Sequence, residues 1–367
     1  MTKGKNLGIK IVVFLLIVVA YVVSLFFSKQ IEALINKKPD TSGLNASVDM
    51  IKDDYIQMHF IYVGQGDCTV IELSDGKVMM IDTGDSGHEE ELMSYLDAAV
   101  FENDPTKTID YLILTHTDLD HIAGAVEVLE NYNVVTVYRP NETVPCTTKT
   151  WQNTVTAINT YADNIVYNAK DLTISYDDPN SLVKDYKFTF LAPIQDSFSD
   201  TNDYSPFILF ETYSTKVMFT GDASTAIEKD VLEFYKDDLS IFDVDILKVG
   251  HHGSKDSSCK EFLDATKPEY AVISCGIDNT YGHPHTEAVN RLTEAGSAIF
   301  RTDTGGNILA FIDNKGKLYF VGDYTAAKTT NIQWWYCGLT VVIVIGSALF
   351  IRKSKSNYSK RTDRDYK

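Results

Sequence analysis

The chain has 367 residues, 44% hydrophobic and 23% charged, with a net charge of -18. This composition excludes a disordered or fibrous chain and allows one large domain or two small ones. The charge is uneven: residues 1–44 carry six Lys against two acids, residues 328–367 carry eight Lys/Arg against two Asp, and residues 45–327 are left with 19 Lys/Arg against 47 acids, a net -28. So acidic a body repels phosphate backbones at long range and lacks the basic face of most nucleic-acid binders, but hydrolysis at a cationic centre stays open.

In chain order, residues 11–27 form an almost unbroken apolar run, with Lys3, Lys5 and Lys10 before it and Lys29 after. The run is just long enough to span a bilayer and longer than a usual signal-peptide core, so residues 1–28 are read as a membrane anchor, with cleavage as the alternative. Residues 29–50, with Pro39, Thr41, Ser42, Gly43 and Asn45, read as a linker. Within 51–327, strand-like runs at 55–63, 69–73, 78–81, 111–114, 134–138, 187–191, 207–212, 216–220, 245–249, 270–274, 298–301 and 307–312 alternate with helical periodicity at 89–100, 122–131, 150–163, 223–235 and 284–295. Many short strands with interspersed helices predict a layered α/β domain. A second apolar run, 332–351, opens on Trp334, Trp335 and Tyr336 and is followed by a basic tail, 352–367. Interfacial aromatics and a basic stop predict a transmembrane helix. Two spans with basic flanks place both termini in the cytoplasm and the acidic domain outside the cell membrane.

The chemistry is concentrated at strand ends. After the run 111–114 comes Thr115-His116-Thr117-Asp118-Leu119-Asp120-His121, then a helix beginning near Ile122. Two imidazoles and two carboxylates within six residues suit zinc, manganese or iron. Asp82, in Ile81-Asp82-Thr83-Gly84, is placed to orient a liganding histidine. Asp222, in Thr220-Gly221-Asp222, has two oxygens and can bridge two metals. His251 and His252 follow another strand, and His283 and His285 flank Pro284. Six of the eight histidines fall in these three groups, which argues for one metal or acid–base site. His59 and His88 are left with structural or surface roles. The five cysteines, Cys68, Cys146, Cys259, Cys275 and Cys337, form no CxxC pair, so they are read mostly as core residues, with one disulfide left open.

Together these motifs resemble the metallo-β-lactamase fold, whose signature is HxHxDH. They are most like the hydrolase domain of the competence protein ComEC and its free-standing relatives, in which Asp replaces the second His, as in His116-x-Asp118-x-Asp120-His121. Val63-Gly64-Gln65-Gly66-Asp67, Thr220-Gly221-Asp222, His251-His252-Gly253-Ser254, the His283-Pro284 block and Arg301-Thr302-Asp303 with Gly305-Gly306 match the other motifs in order, over roughly residues 55–315. The resemblance implies a four-layer αβ/βα sandwich and two divalent metal ions, zinc first and manganese as the alternative. His116 and Asp118 would hold one metal, Asp120 and His121 the other, and Asp222 would bridge them. His251 would be a further ligand, with the choice between His251 and His252 left open. His252, His283, His285 and Asp120 would serve catalysis, and Asp67, Asp82 and Asn202 would support the ligands. The usual third-motif histidine has no match, and Thr201-Asn202-Asp203-Tyr204-Ser205 occupies its place.

Two cations sharing Asp222 would lower the pKa of a water between them towards neutrality. The resulting expectation is a phosphodiesterase or nuclease acting on DNA, RNA or a small phosphodiester beside the lipid bilayer. A lactone, thioester or β-lactam hydrolase is the alternative, followed by a catalytically dead binding protein. A transport role does not carry over, because two spans cannot form a many-helix channel. Oligomeric state is not legible.

Overall fold

The computed structural model describes residues 56–321 apart from 103, 177–185 and 314, together with the backbone of 324 and 325. The two expected spans and the basic tail lie outside these residues. Among the described residues no helix is long and apolar enough to cross a membrane.

Short apolar runs build two eight-stranded sheets. The first runs β15-β14-β1-β2-β3-β4-β5-β6, from β1 (Ile56–Phe60), β2 (Thr69–Glu72), β3 (Val78–Ile81), β4 (Thr108–Ile113), β5 (Asn133–Arg139), β6 (Asn164–Tyr167), β14 (Ile308–Ile312) and β15 (Leu318–Val321). The second runs β16-β13-β12-β11-β10-β9-β8-β7, from β7 (Thr173–Tyr176), β8 (Tyr186–Phe190), β9 (Ile208–Thr212), β10 (Thr215–Phe219), β11 (Ile246–Lys248), β12 (Tyr270–Ile273), β13 (Ala298–Arg301) and β16 (Tyr324–Thr325). Strands β3 to β6 are parallel, as are β10 to β13. Their fully buried sequences, such as Val-Met-Met-Ile in β3, fit strands covered on both faces.

Three apolar layers result. Between the sheets lie Met58, Phe60, Phe188, Phe210 and Phe219, with the rings of Phe188 and Phe210 stacked at 4.3 Å. On the outer face of the first sheet, Leu112 and Val137 pack with Leu92 of α1 (Glu89–Tyr95), Ile122 of α2 (Leu119–Ile122), Val128 of α3 (Ala125–Asn131) and Trp151 of α4 (Lys149–Tyr161). On the outer face of the second, Leu247 and Ala271 pack with Ile227 of α5 (Thr225–Phe234), Phe262 of α6 (Lys260–Thr266) and Leu292 of α7 (Thr286–Ala295). Helices therefore cover both outer faces of a two-sheet sandwich.

Two local expectations change. The helix expected from Ile122 begins at Leu119, because Asp118 adopts an extended backbone at the N-cap and the chain turns helical immediately after it. Asp120 and His121 thus ride the first turn rather than a loop. Residues Thr302–Gly305, read as part of the closing strands, form a one-turn helix, α8, that carries the chain from β13 of the second sheet to β14 of the first.

Candidate metal centre

In parallel sheets, groups at the carboxyl ends of strands converge outside the sheet. Here the ends of β3, β4, β10, β11 and β12 supply Asp82, the 115–121 segment, Asp222, His251 with His252, and the 275–285 loop. Close backbone approach makes the convergence achievable. A Cβ on Gly66 would lie 2.2 Å from the Asp120 carbonyl oxygen, and its absence lets the Asp67 N–H donate to that oxygen at 3.2 Å. Asp82, His251 and His252 hold left-handed backbone at φ 58, 47 and 52, which is costly for non-glycine residues and concentrates at functional sites.

Three imidazoles share one arrangement. His121 Nδ1 stands 2.8 Å from Asp82 Oδ2, an acceptor, so in the neutral ring the proton sits on Nδ1 and Nε2 offers a lone pair. His252 Nδ1 donates to the Ser274 carbonyl at 3.0 Å and lies 3.3 Å from Asp67 Oδ1, so its Nε2 does too. Thr115 Oγ1 donates to Asp82 Oδ2 at 2.7 Å and so accepts from His116 Nδ1 at 3.0 Å, leaving His116 Nε2 bare, buried and without a partner. The Nε2 atoms of His121 and His252 face each other at 3.2 Å. Asp222 Oδ2 lies 3.3 and 3.2 Å from them, and Asp120 Oδ2 lies 3.3 Å from His252 Nε2. Acceptors alone, turned on one place in a buried setting, fit cations.

The electrostatics agree. Burial disfavours charge on His121 and His252, yet Asp222, with Asp82 beside His121 and Asp67 beside His252, holds both imidazoles well above their ordinary value. Burial likewise opposes charge on Asp222, which His252 and His121 nonetheless hold well below the carboxylate range. This pocket binds positive charge, as protons or as metal. Burial and the neighbouring His121 push His116 down, keeping it a neutral donor atom.

Among the described residues, Asp67, His121, Asp222 and His252 offer ligand atoms that all lie within 4.8 Å of one another, all buried. Asp67 differs from the other three. Its Oδ2 accepts from the Lys248 ammonium at 2.6 Å and its Oδ1 meets the Nδ1 side of His252, so it braces that ring from behind. Asp118 Oδ1 accepts from Thr201 Oγ1 at 2.7 Å. His251 Nε2 lies 3.7 Å from Asp222 Oδ2 on a more exposed ring. His283 and His285 stand edge to face at 4.8 Å, with His283 also 6.1 Å from His252. In the segment replacing the third-motif histidine, Ser205 Oγ lies 3.3 Å from His116 Nδ1 and accepts from the Asp222 N–H at 3.0 Å. Asn202 Oδ1 is buried there without a partner.

Sequence reasoning assigned no role to Lys248, Thr115, Ser205 or Ser274. Lys248 left one signal, a lysine inside a strand that is otherwise apolar; the other three act through hydroxyl or carbonyl oxygens that leave none. Among the described residues Cys68, Cys259 and Cys275 are buried, Cys146 is half-buried and none is paired; Cys337 lies outside them. His59 is buried away from the cluster, bonded to Tyr95 and Glu72.

Two sheets with outer helices and a histidine–carboxylate cluster at their strand ends define a metallohydrolase fold with a candidate two-metal site. The family model for the Metallo-beta-lactamase superfamily matches residues 61–277, and the chain belongs to that superfamily. Among curated relatives, it is similar to ComE operon protein 3 of Bacillus subtilis (strain 168), 29% identical over 206 residues, covering 55% of this chain and 24% of that protein. It is also similar to Competence protein ComA of Neisseria gonorrhoeae, 39% identical over 120 residues, covering 32% of this chain and 17% of that one. The chain thus spans about a quarter or less of the length of these relatives. Among solved structures, the metallo-beta-lactamase fold protein YhfI from Bacillus subtilis is similar at a TM-score of 0.40 and 12% identity, over 67% of this chain and 95% of that one.

Proposed function

We propose that the chain is a two-metal phosphodiester hydrolase of ComEC-like type, tethered to the cell membrane with its domain on the outer side. The observation that carries the chemistry is the convergence on one place of His121 Nε2, His252 Nε2, Asp222 and Asp120, whose ring and carboxylate lone pairs can take up protons or metal. His116 and Asp118 would hold one ion; Asp120, His121 and His252 the other; and Asp222 would be shared. His251 stands next in reach of Asp222. Asp82 and Asp67 orient the rings, and Ser205 and Asn202 stand where the third-motif histidine is missing. Zinc suits the three imidazoles, and manganese suits the oxygen-rich remainder. When bound, such ions polarise a phosphoryl oxygen and lower the pKa of an attacking water. Asp120, more open than Asp222, accepts the proton or orients the nucleophile, while His283 and His285 face the developing charge on the substrate. The competence name of a relative supports nucleic acid, DNA or RNA, as the substrate class.

The acidic domain favours a second reading, an uncharged lactone, thioester or β-lactam, since its own field opposes the approach of a polyanion. The test is turnover by the purified full-length chain with added zinc or manganese. DNA, RNA and bis-p-nitrophenyl phosphate are set against nitrocefin and a lactone panel. Phosphodiester cleavage, lost by roughly 100-fold or more in Asp222→Asn, is the expected result. Cleavage of the second group alone would move the assignment to the uncharged substrates. Protease accessibility on intact cells checks the outer placement, which fails if residues 45–327 are protected.

A further inference from the structure

The five histidines with a polar partner at Nδ1 around the centre divide by what that partner is. At His116, His121 and His252 it is an acceptor, which leaves Nε2 free as a ligand atom. At His283 and His285 it is a donor. The Lys255 backbone N–H, which can only donate, points at His285 Nδ1 at 3.0 Å. The partner of His283 Nδ1 is the Gln65 side-chain amide, at 3.3 Å. An amide can present either end, but Gln65 has no choice. Its oxygen accepts from the Gly276 backbone N–H at 3.0 Å, and a backbone N–H cannot reverse. The amide NH2 must therefore face His283, whose Nδ1 accepts, and the ring proton of neutral His283 sits on Nε2.

The surroundings hold this geometry fixed. Gln65 is buried, and a Cβ on Gly276 would come within 2.8 Å of its backbone nitrogen. Asn279 closes the 276–283 loop: its side-chain NH2 donates to the carbonyls of Gly276 at 2.9 Å and His283 at 2.6 Å, and its Oδ1 accepts from the His283 N–H at 2.9 Å. The His283 ring lies between Tyr281 and His252, nearly parallel to both. No protein group among the described residues hydrogen-bonds its Nε2. With an amide N–H facing Nδ1, that nitrogen carries no proton of its own, so the ring is the neutral form.

We propose that Gln65 is a positioning residue that holds His283 as the Nε2–H tautomer, so that His283 meets the substrate as a neutral hydrogen-bond donor and not as a metal ligand. The part played towards substrate rests on the hydrolase reading; the tautomer does not. The experiment is nitrogen NMR of the full-length chain labelled in its histidine rings, zinc-loaded, with the His283 signals assigned by loss in His283→Asn. Wild type is expected to show Nδ1 unprotonated and Nε2 protonated. Gln65→Glu removes that donor and leaves a carboxylate oxygen facing Nδ1, so the proton moves to Nδ1. That inversion is expected to lower kcat by about 100-fold, the cost of one well-placed donor.

A protonated Nδ1 in wild type, or an uninverted Gln65→Glu, overturns the proposal. Inversion with kcat unchanged overturns the positioning role. If wild type turns over no substrate, the hydrolase reading fails while the ring-nitrogen signals still decide whether Gln65 sets the tautomer.

Discussion

At the scale of single residues, the centre works through the far side of each imidazole. Asp82 is the hub: it accepts from the Thr115 N–H and Thr115 Oγ1 and holds His121 Nδ1, and through Thr115 it also reaches His116. Asp82→Asn keeps the shape but can turn an NH2 towards His121, favouring the wrong tautomer. Metal affinity is expected to fall by roughly 10–100-fold in competition with a chelator of known strength. Unchanged affinity would remove Asp82 from the centre's working parts. Asp82 was legible only in company with the other motifs, because a lone carboxylate at a strand end could equally serve a turn. Thr115 and Ser205 were not, because a hydroxyl beside a metal motif looks like any other. Gln65 was visible as part of a motif, yet its partners Gly276 and His283 lie more than 200 residues away.

At the scale of elements, the buried central strands and the longer helices were readable from uniform apolar runs and helical periodicity. β6 and β7 were missed because each is a four-residue edge strand, largely exposed, with no periodicity to detect. α6, as long as α1 and α3, was missed as well. It closes the loop that follows His251 and His252, and α5 and α7 clamp that loop. Glu228 of α5 accepts from the Ser258 and Cys259 N–H groups, and Arg291 of α7 donates to the carbonyls of Lys255, Ser257 and Ser258.

Burial pushes Glu228 from 4.5 up to about 7. Because the folded value lies above the unfolded one, its stabilising contribution is complete below pH 4.5 and is lost as pH rises through 7. Between about pH 5 and about pH 8 the wild type is therefore expected to lose roughly 3 kcal/mol relative to Glu228→Gln, which cannot ionise. Denaturant titration at both pH values checks this, and parallel behaviour of the two proteins would refute it.

At the scale of the molecule, motif order carried the fold, since five matches in sequence leave little freedom. The path of β14 was not legible: it leaves the second sheet and pairs with β1, with Ala310 opposite Met58, a contact that no local pattern encodes. The two sheets each contribute ligands, so an ion there meets its full ligand set only in the folded state. Stripping the metal with a chelator is expected to lower the melting temperature by about 5 °C or more, reversed by adding zinc. An unchanged melting temperature would mean that the centre does not bridge the sheets.

That bridging also decides when in the life of the chain the ion arrives. An unfolded chain offers only the local group at 116–121; Asp222 and His252 stand more than 100 residues downstream and reach it only after both sheets have closed. The full ligand set therefore exists only once the chain has folded, and tight metal binding is expected to follow folding, a delay that stopped-flow refolding with a zinc-sensitive dye would register.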